Sequence, residues 1–320
     1  MATVLRSGQI SGAGYGIHWP DLDEDLSTEG LLRGAPAAAE SVRTQMPDLP
    51  DRVIFGYPQM WEEVDQKYHD FFTILPKLND ALNRLVNAAY DPITKPQKAI
   101  LNLATLSMIS MLELVTLVGN GLAQGGLKIL RSMLEYGINA EYLRRNPGEI
   151  DDFIEWYWIE HYKELNYIRD HMPDAYAELT PENIAKSEAE YNRVKPRFEY
   201  ETRPGRQKLR DSWCSLNLAD RATRTDFTEE YKLIYPLTSR LFHGSLAGMK
   251  LHYDPDEDPH RLAVPPSLEW SGETLICGHG IALRMANTFS QAFGVESNPP
   301  YAELERDYKT VWAKKKKEIP

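Results

Sequence analysis

Beyond the first 55 or so residues, apolar positions recur every three or four places, which is the period of a helix with one buried face. "MWEEVDQKYHDFFTILPKLNDALNRLVNAAY" puts Trp61, Val64, Tyr68, Phe71 and Phe72 on one stripe. Pro76 interrupts that run and predicts a kink or a split, because proline removes a backbone donor. "KPQKAILNLATLSMISMLELVTLVGNG" predicts a second, more apolar helix that stops at Asn120 and Gly121. "GGLKILRSMLEYGINAEYLRRNP" predicts a third, ending before Pro147, and "GEIDDFIEWYWIEHYKELNYIRDHMP" a fourth, closed by Pro173. In "TPENIAKSEAEYNRVKPRF", Thr180 is the expected cap and Pro181 the first helical residue. Helical segments are also expected within "RPGRQKLRDSWCSLNLADRA", "DFTEEYKLIYPLTSRLFHGSLAGMKLHY", "SGETLICGHGIALRMANTFSQAFG" and "PYAELERDYKTVWAKKKK". No alternation of the strand type is evident after residue 50, so the fold class expected is all-α, a multi-helix bundle.

The amino-terminal pattern is of another kind. "SGAGYGIHWPDLDEDLSTEGLLRG", Ser11 to Gly34, is glycine-rich and then acidic. The division expected is a short irregular segment over 1–35, a linker over 36–58 and a helical domain over 59–320.

Composition narrows the picture in three ways. Hydrophobic residues make up 42% and charged residues 26%, the globular range. Lysine plus arginine is 36 against 47 for aspartate plus glutamate, so 36 − 47 gives −11. Such a balance supplies no general attraction to phosphate backbones or anionic lipid, and nucleic acid is therefore not favoured as a partner. Cys214 and Cys277 are the only cysteines and lack the spacing of zinc or thioredoxin motifs. Both fall in patterns read as helical, as small buried hydrophobes. "MATVLRSGQI" lacks a basic start followed by an apolar run, and the compartment expected is the cytoplasm.

The stretch Ile100 to Val118 approaches the roughly 20 apolar residues that span a membrane. It contains Asn102, Ser107, Ser110 and Glu113, so a central helix buried on all sides is expected instead, with no membrane partner.

Two resemblances add to this reading. "GYGIHWPDLDEDLSTEGLLRG", Gly14 to Gly34, resembles the carboxyl-terminal third of the small bacterial family called domain of unknown function 2442, which has an association with toxin–antitoxin modules. Roughly Met60 to Gly294 resembles domain of unknown function 5677, another bacterial family. The residues that carry this second likeness are "ILRSMLEYGINAEYL", "FIEWYWIEHYKEL" and "YKLIYPLTSRLFHGSL". Its layout is similar to the helical HEPN class, several members of which are ribonucleases of conflict systems. Their working motif is an arginine followed by a histidine, at a wider spacing than Arg240 and His243 have here.

Two clusters carry the chemistry. Ser239 and His243 are i and i+4 on one helix, and Arg240 and His243 are i and i+3. Histidine there would serve as general base and arginine as anchor for a negative charge; Tyr231 and Tyr235 precede them on the same face. The bland alternative is a Ser–His hydrogen bond inside a helix interface, with Gly244 and Gly248 marking close packing. The second cluster is Arg131 and Glu135, i and i+4 in an apolar helix, with Glu113 a third charge on the preceding one. If these helices meet, Glu113, Arg131, Glu135, Tyr231, Tyr235 and His243 form a polar pocket, either a ligand site or a structural network.

Glu155, Glu160, His161 and Glu164 share one helix, but no helix carries the Glu-x-x-His pair of di-metal bundles, so no metal is expected. "CGHG", Cys277 to Gly280, reads as a packed helix start, and no cofactor motif is present. Two classes of function fit. One is a non-catalytic binding or assembly module of a bacterial defence or toxin–antitoxin type system, acting as a homo-oligomer or with a partner protein. The other is a HEPN-like enzyme acting on RNA or a nucleotide through His243, Arg240 and Ser239. The short Arg–His spacing and the acidic charge tilt the reading toward the first.

Overall fold

The apolar period that marks out the helices in the sequence is realised as ten α-helices in a computed structural model that describes residues 56–88, 93–242 and 266–315. They belong to one unit, Gly56–Pro320; the segment read as an irregular piece and linker lies outside the described residues up to position 55.

Helix α1, Pro58–Ala88, buries Val64, Tyr68, Phe71, Leu75, Leu78, Leu82 and Leu85 at three- and four-residue spacing. It runs through Pro76, and its one non-helical residue is Tyr68, with φ −120°. The irregularity therefore sits eight residues before the proline that predicted it. Helix α2, Lys95–Gly119, opens on a capping box in which Thr94 and Gln97 satisfy each other's backbone N–H. It closes at Asn120, and Gly121 takes the left-handed φ of +70° that a side chain would strain. Asn120 also accepts a hydrogen bond from the Tyr57 N–H at 2.8 Å, tying the start of α1 to the end of α2. At Gly119 a Cβ would lie 2.3 Å from the Trp61 ring, so only glycine lets α1 approach so closely.

Helix α2 is the one helix among the described residues long and apolar enough to cross a membrane, with mean hydropathy 1.8 in its richest window, 44% of it buried. The expectation of burial on all sides is corrected: Leu106, Ile109 and Leu112 keep 44, 49 and 55% of their surface exposed. One face packs on the bundle through Ile100, Ala104, Met111, Leu114 and Val118, and no element among the described residues covers the opposite face.

Helix α3, Ala123–Arg145, is the hub, packing against α2 and against two later helices, α8 (Thr228–Phe242) and α9 (Ser271–Phe293). A 3₁₀ turn, Pro147–Glu149, leads into α4, Ile150–His171. After the short α5, Pro173–Ala177, α6 (Pro181–Phe198) returns along α4, with Thr180 as its cap. This pair is held by stacked Tyr162 and Tyr191 rings 3.9 Å apart and by Arg197, bonded to Asp152 and Glu155.

The stretch after α6 departs from the all-helical expectation. Strands β1, Glu199–Arg203, and β2, Arg206–Leu209, form a two-stranded antiparallel ribbon. Its turn is Pro204–Gly205, a turn dipeptide, with Gly205 at φ +77°. Cys214 sits in the irregular stretch before α7, Leu218–Arg224, buried but not helical.

Helix α9 carries "CGHG" across its second and third turns and not at its start. His279 is buried there between Phe71, Tyr308 and Trp312, whose indole N–H donates to its Nδ1 at 3.3 Å. Helix α10, Tyr301–Lys315, supplies the last two of those rings.

Burial drives the His279 pKa down to about 4 from its ordinary 6.5. The unfolded chain then binds a proton that the fold refuses, so stability falls as pH drops between those values, by up to about 3 kcal/mol. His279→Gln keeps an acceptor for the indole and removes the titration. We expect its urea midpoint to vary less between pH 6.5 and 4 than that of the wild type; equal slopes would refute this account.

Candidate functional site

Helices α3 and α8 bring together four of the residues expected to form a pocket. The Arg131 Nε donates to Glu135 Oε1 at 3.1 Å, and its Nη2 donates to the Tyr235 hydroxyl at 2.8 Å. The guanidinium carbon also lies 4.4 Å from the Tyr235 ring centroid. Tyr231 stacks on Tyr235 with centroids 4.8 Å apart. Burial raises the Tyr231 phenol pKa, with Tyr235 adding to it, so the hydroxyl stays protonated at neutral pH. Side-chain exposure of 20% for Arg131 and 38% for Glu135 leaves the pair at the edge of the bundle, within reach of water.

The other expected members fall elsewhere. Glu113 is exposed on α2 beside Leu112, so it is no buried charge and is not part of this cluster: its position faces away from the side of α2 that packs. Ser239 is half-buried one turn beyond Tyr235, and Arg240 is exposed. His243, with Gly244 and Gly248, lies outside the described residues.

A second, denser cluster stands at the other end of α3. Glu141 keeps 6% of its surface exposed. Its Oε1 accepts from Arg144 Nη2 at 2.7 Å and Arg145 Nε at 2.6 Å, and its Oε2 from Arg144 Nε and Thr288 Oγ1 at 2.8 and 2.9 Å. Arg145 continues outward to the Arg224 carbonyl at 2.9 Å and the Asp226 carboxylate at 2.7 Å. Arg284, on α9, donates to the Asp226 carbonyl at 2.8 Å, pairs with Glu230 at 3.0 Å and covers the Phe227 ring. Asp226 adopts φ +60°, a conformation aspartate tolerates better than most residues.

Glu141, Arg145, Asp226, Arg284, Tyr301 and Glu305 line a cavity of about 280 Å³ beside these contacts. Three carboxylates face two guanidiniums there, so the cavity has no surplus of cations with which to hold a phosphate. Among the described residues no group of three or more His, Cys, Asp or Glu side chains is placed to hold a metal ion. The signal for this cluster was in "EYLRR", where Glu141 precedes Arg144 and Arg145 at the i+3 and i+4 spacing that favours pairing. Sequence alone could not supply Thr288, Asp226 or Arg284, all more than 80 positions away or on other helices.

The class defined so far is an all-α bundle whose hub helix carries two arginine–glutamate clusters closed by side chains from α8 and α9. The chain belongs to the family of unknown function DUF5677, whose profile matches residues 97–260, just over half of it and every candidate residue from Glu113 to His243. A second match, to the protein of unknown function DUF2442, covers residues 2–37. No curated protein and no solved structure matches the chain.

Burial pushes the Glu141 carboxyl up, but the bonds from Arg144, Arg145 and Thr288 outweigh it and hold the group below its ordinary 4.5. Its contribution is therefore present above that value and is lost as pH falls through the lower folded one. Glu141→Ala should cost roughly 2–4 kcal/mol at neutral pH, since it strands two partly buried guanidiniums. Thr288→Val should cost about 1 kcal/mol. Urea unfolding measures both, and a loss under 1 kcal/mol for Glu141→Ala would contradict the role given to it.

Proposed function

We propose that this chain is a non-catalytic binding or assembly module, of the bacterial defence or toxin–antitoxin type that its two segments resemble. The observation that carries the reading is mutual satisfaction. Arg131 spends its Nε and Nη2 on Glu135 and Tyr235, and the four contacts to Glu141 come from Arg144, Arg145 and Thr288. A general base needs a lone pair aimed at substrate, and a nucleophile needs a base beside it. Both clusters instead pair their arginines with acids of the same helix and are joined to a second helix by the Tyr235 and Thr288 hydroxyls, as a network that fixes helix pairing is. The bare face of α2, with Leu106, Ile109 and Leu112, supports the assembly half of the reading, because large exposed apolar side chains gathered on one face mark contact surfaces.

The test pairs stability with activity. Tyr235→Phe should lower stability by about 1 kcal/mol by removing a bond to Arg131, and Glu135→Gln, which keeps the acceptor and removes only the charge, by less. The wild type should leave single-stranded RNA and nucleoside triphosphates intact in an overnight incubation. RNA or nucleotide hydrolysis that His243→Ala or Arg240→Ala abolishes at unchanged melting temperature would replace this reading with the HEPN-like enzyme.

A further inference from the structure

The ribbon of β1 and β2 sorts its charges by face. Residues directly opposite in an antiparallel register share a face, and residues two apart along a strand do as well. Tyr200 pairs with Lys208, and Arg203 with Arg206. Glu199 pairs with Leu209 and Glu201 with Gln207, which puts the acids on the reverse side. The register slips between Glu201 and Arg203, and that irregularity is what turns Arg203 onto the side of Arg206 and Lys208. Arg203, Arg206, Lys208 and Arg210 thus give four cations and no acid over 203–210, in a chain whose net charge is −11.

This arrangement works against the ribbon's own stability. Like charges directly opposite destabilise a strand pair, and a lone two-stranded ribbon is marginal in water. Arg203 and Arg206 are exposed, and Arg203, Arg206 and Arg210 make no ion pair among the described residues. Lys208 has Asp211 at 3.4 Å, both in solvent. The ribbon is anchored at its root, where the Arg210 N–H donates to the Phe198 carbonyl at 2.9 Å, Phe198 packs edge-on to Trp156 and Leu209 packs against the core. Tyr200 is 41% exposed and stands among the cations.

We infer that this face is a docking surface for a single-stranded nucleic acid, its phosphates held by Arg203, Arg206, Lys208 and Arg210 and a base stacked on Tyr200. Guanidiniums bind phosphate in bidentate fashion, and an aromatic beside a cationic track is the pattern of sequence-tolerant strand binding. An acidic protein would need the cations but gain little from the ring. The inference names a partner for the binding module proposed above, yet rests on a different surface, away from both arginine–glutamate clusters.

The full chain is titrated into fluorescein-labelled single-stranded RNA and DNA of mixed sequence, with anisotropy read between about 50 and 200 mM salt. We expect binding by either strand, weakening with salt at a log–log slope of about −2 to −3, as for three or four neutralised phosphates. Arg203→Gln, Arg206→Gln and Lys208→Gln together should cut that slope by about 2, while Tyr200→Ala should weaken binding about tenfold at unchanged slope. All variants should melt with the wild type, because the four substituted side chains are exposed. Absence of binding at the lowest salt, or a triple variant that binds as the wild type does, overturns the inference. So does poly-glutamate that displaces the strand and binds Tyr200→Ala undiminished, which would make the partner an acidic protein. A denaturing gel of the same RNA keeps the two proposals apart: cleavage defeats the non-catalytic reading and leaves ribbon binding standing.

Discussion

A carboxylate with 6% of its surface in water must find inside the protein the hydrogen bonds that water would have supplied, and Glu141 finds four. Each has a geometric consequence. Arg144 and Arg145 come from the same helix, one turn on, so they need no outside placement. Thr288 comes from α9, and its hydroxyl is within reach only if α9 lies alongside the last turns of α3. The second guanidinium then hands the constraint outward to the Arg224 carbonyl and to Asp226, and Arg284 takes the other side of Asp226. The turn between α7 and α8 is thereby held from two helices at once. Removing such a network whole and filling it with apolar atoms can be neutral, but removing one member is not, which makes it a device of registry more than of raw stability.

The two arginine–glutamate pairs on α3 differ in a way elementary helix electrostatics anticipates. Arg131 precedes Glu135, the poorer order for an isolated pair, and the structure completes it with the Tyr235 hydroxyl and ring from α8. Glu141 precedes its arginines, the better order, and has three of its four bonds from its own helix before α9 adds the last. The first pair therefore depends on tertiary contact and the second organises it. In both, the guanidiniums are spent on neighbouring carboxylates and on a hydroxyl or carbonyl from another element.

How much of this was legible beforehand depended on whether the controlling atoms were local. The ends of α2 at Asn120 and Gly121, of α3 before Pro147 and of α4 before Pro173, and the Thr180 cap, all rest on side chains within four positions, and they stand where the pattern put them. Pro76 predicted a break that the structure places at Tyr68 instead, because the flanking stripe of Phe71, Leu75 and Leu78 buries the helix across the proline and packing outweighs one absent N–H. The Arg131–Glu135 pair was legible; its junction with Tyr235 was expected only in outline. Glu113 was misplaced because α2 is apolar nearly all round, so its pattern did not reveal which face the bundle covers. The ribbon was missed for the opposite reason: its strands are short and polar, and only the Pro–Gly turn marked it.

That last miss bears on how charge should be read. Net charge sets the sign of the outer field, up to about a Debye length from the surface, where all 83 ionic side chains are summed, and there an excess of acids repels a polyanion. At contact distance screening removes distant charges, and what remains is the handful within about 10 Å of the surface that touches. On the ribbon that handful is led by Arg203, Arg206, Lys208 and Arg210, with Asp211 the acid beside Lys208 and the acids of the two strands set on the other side by the register. An acidic chain presenting a small basic face lowers its long-range attraction for every polyanion while keeping its grip on one that reaches the ribbon. Charge argued from composition and charge argued from register thus answer different questions, and the second is the one a docked strand would feel.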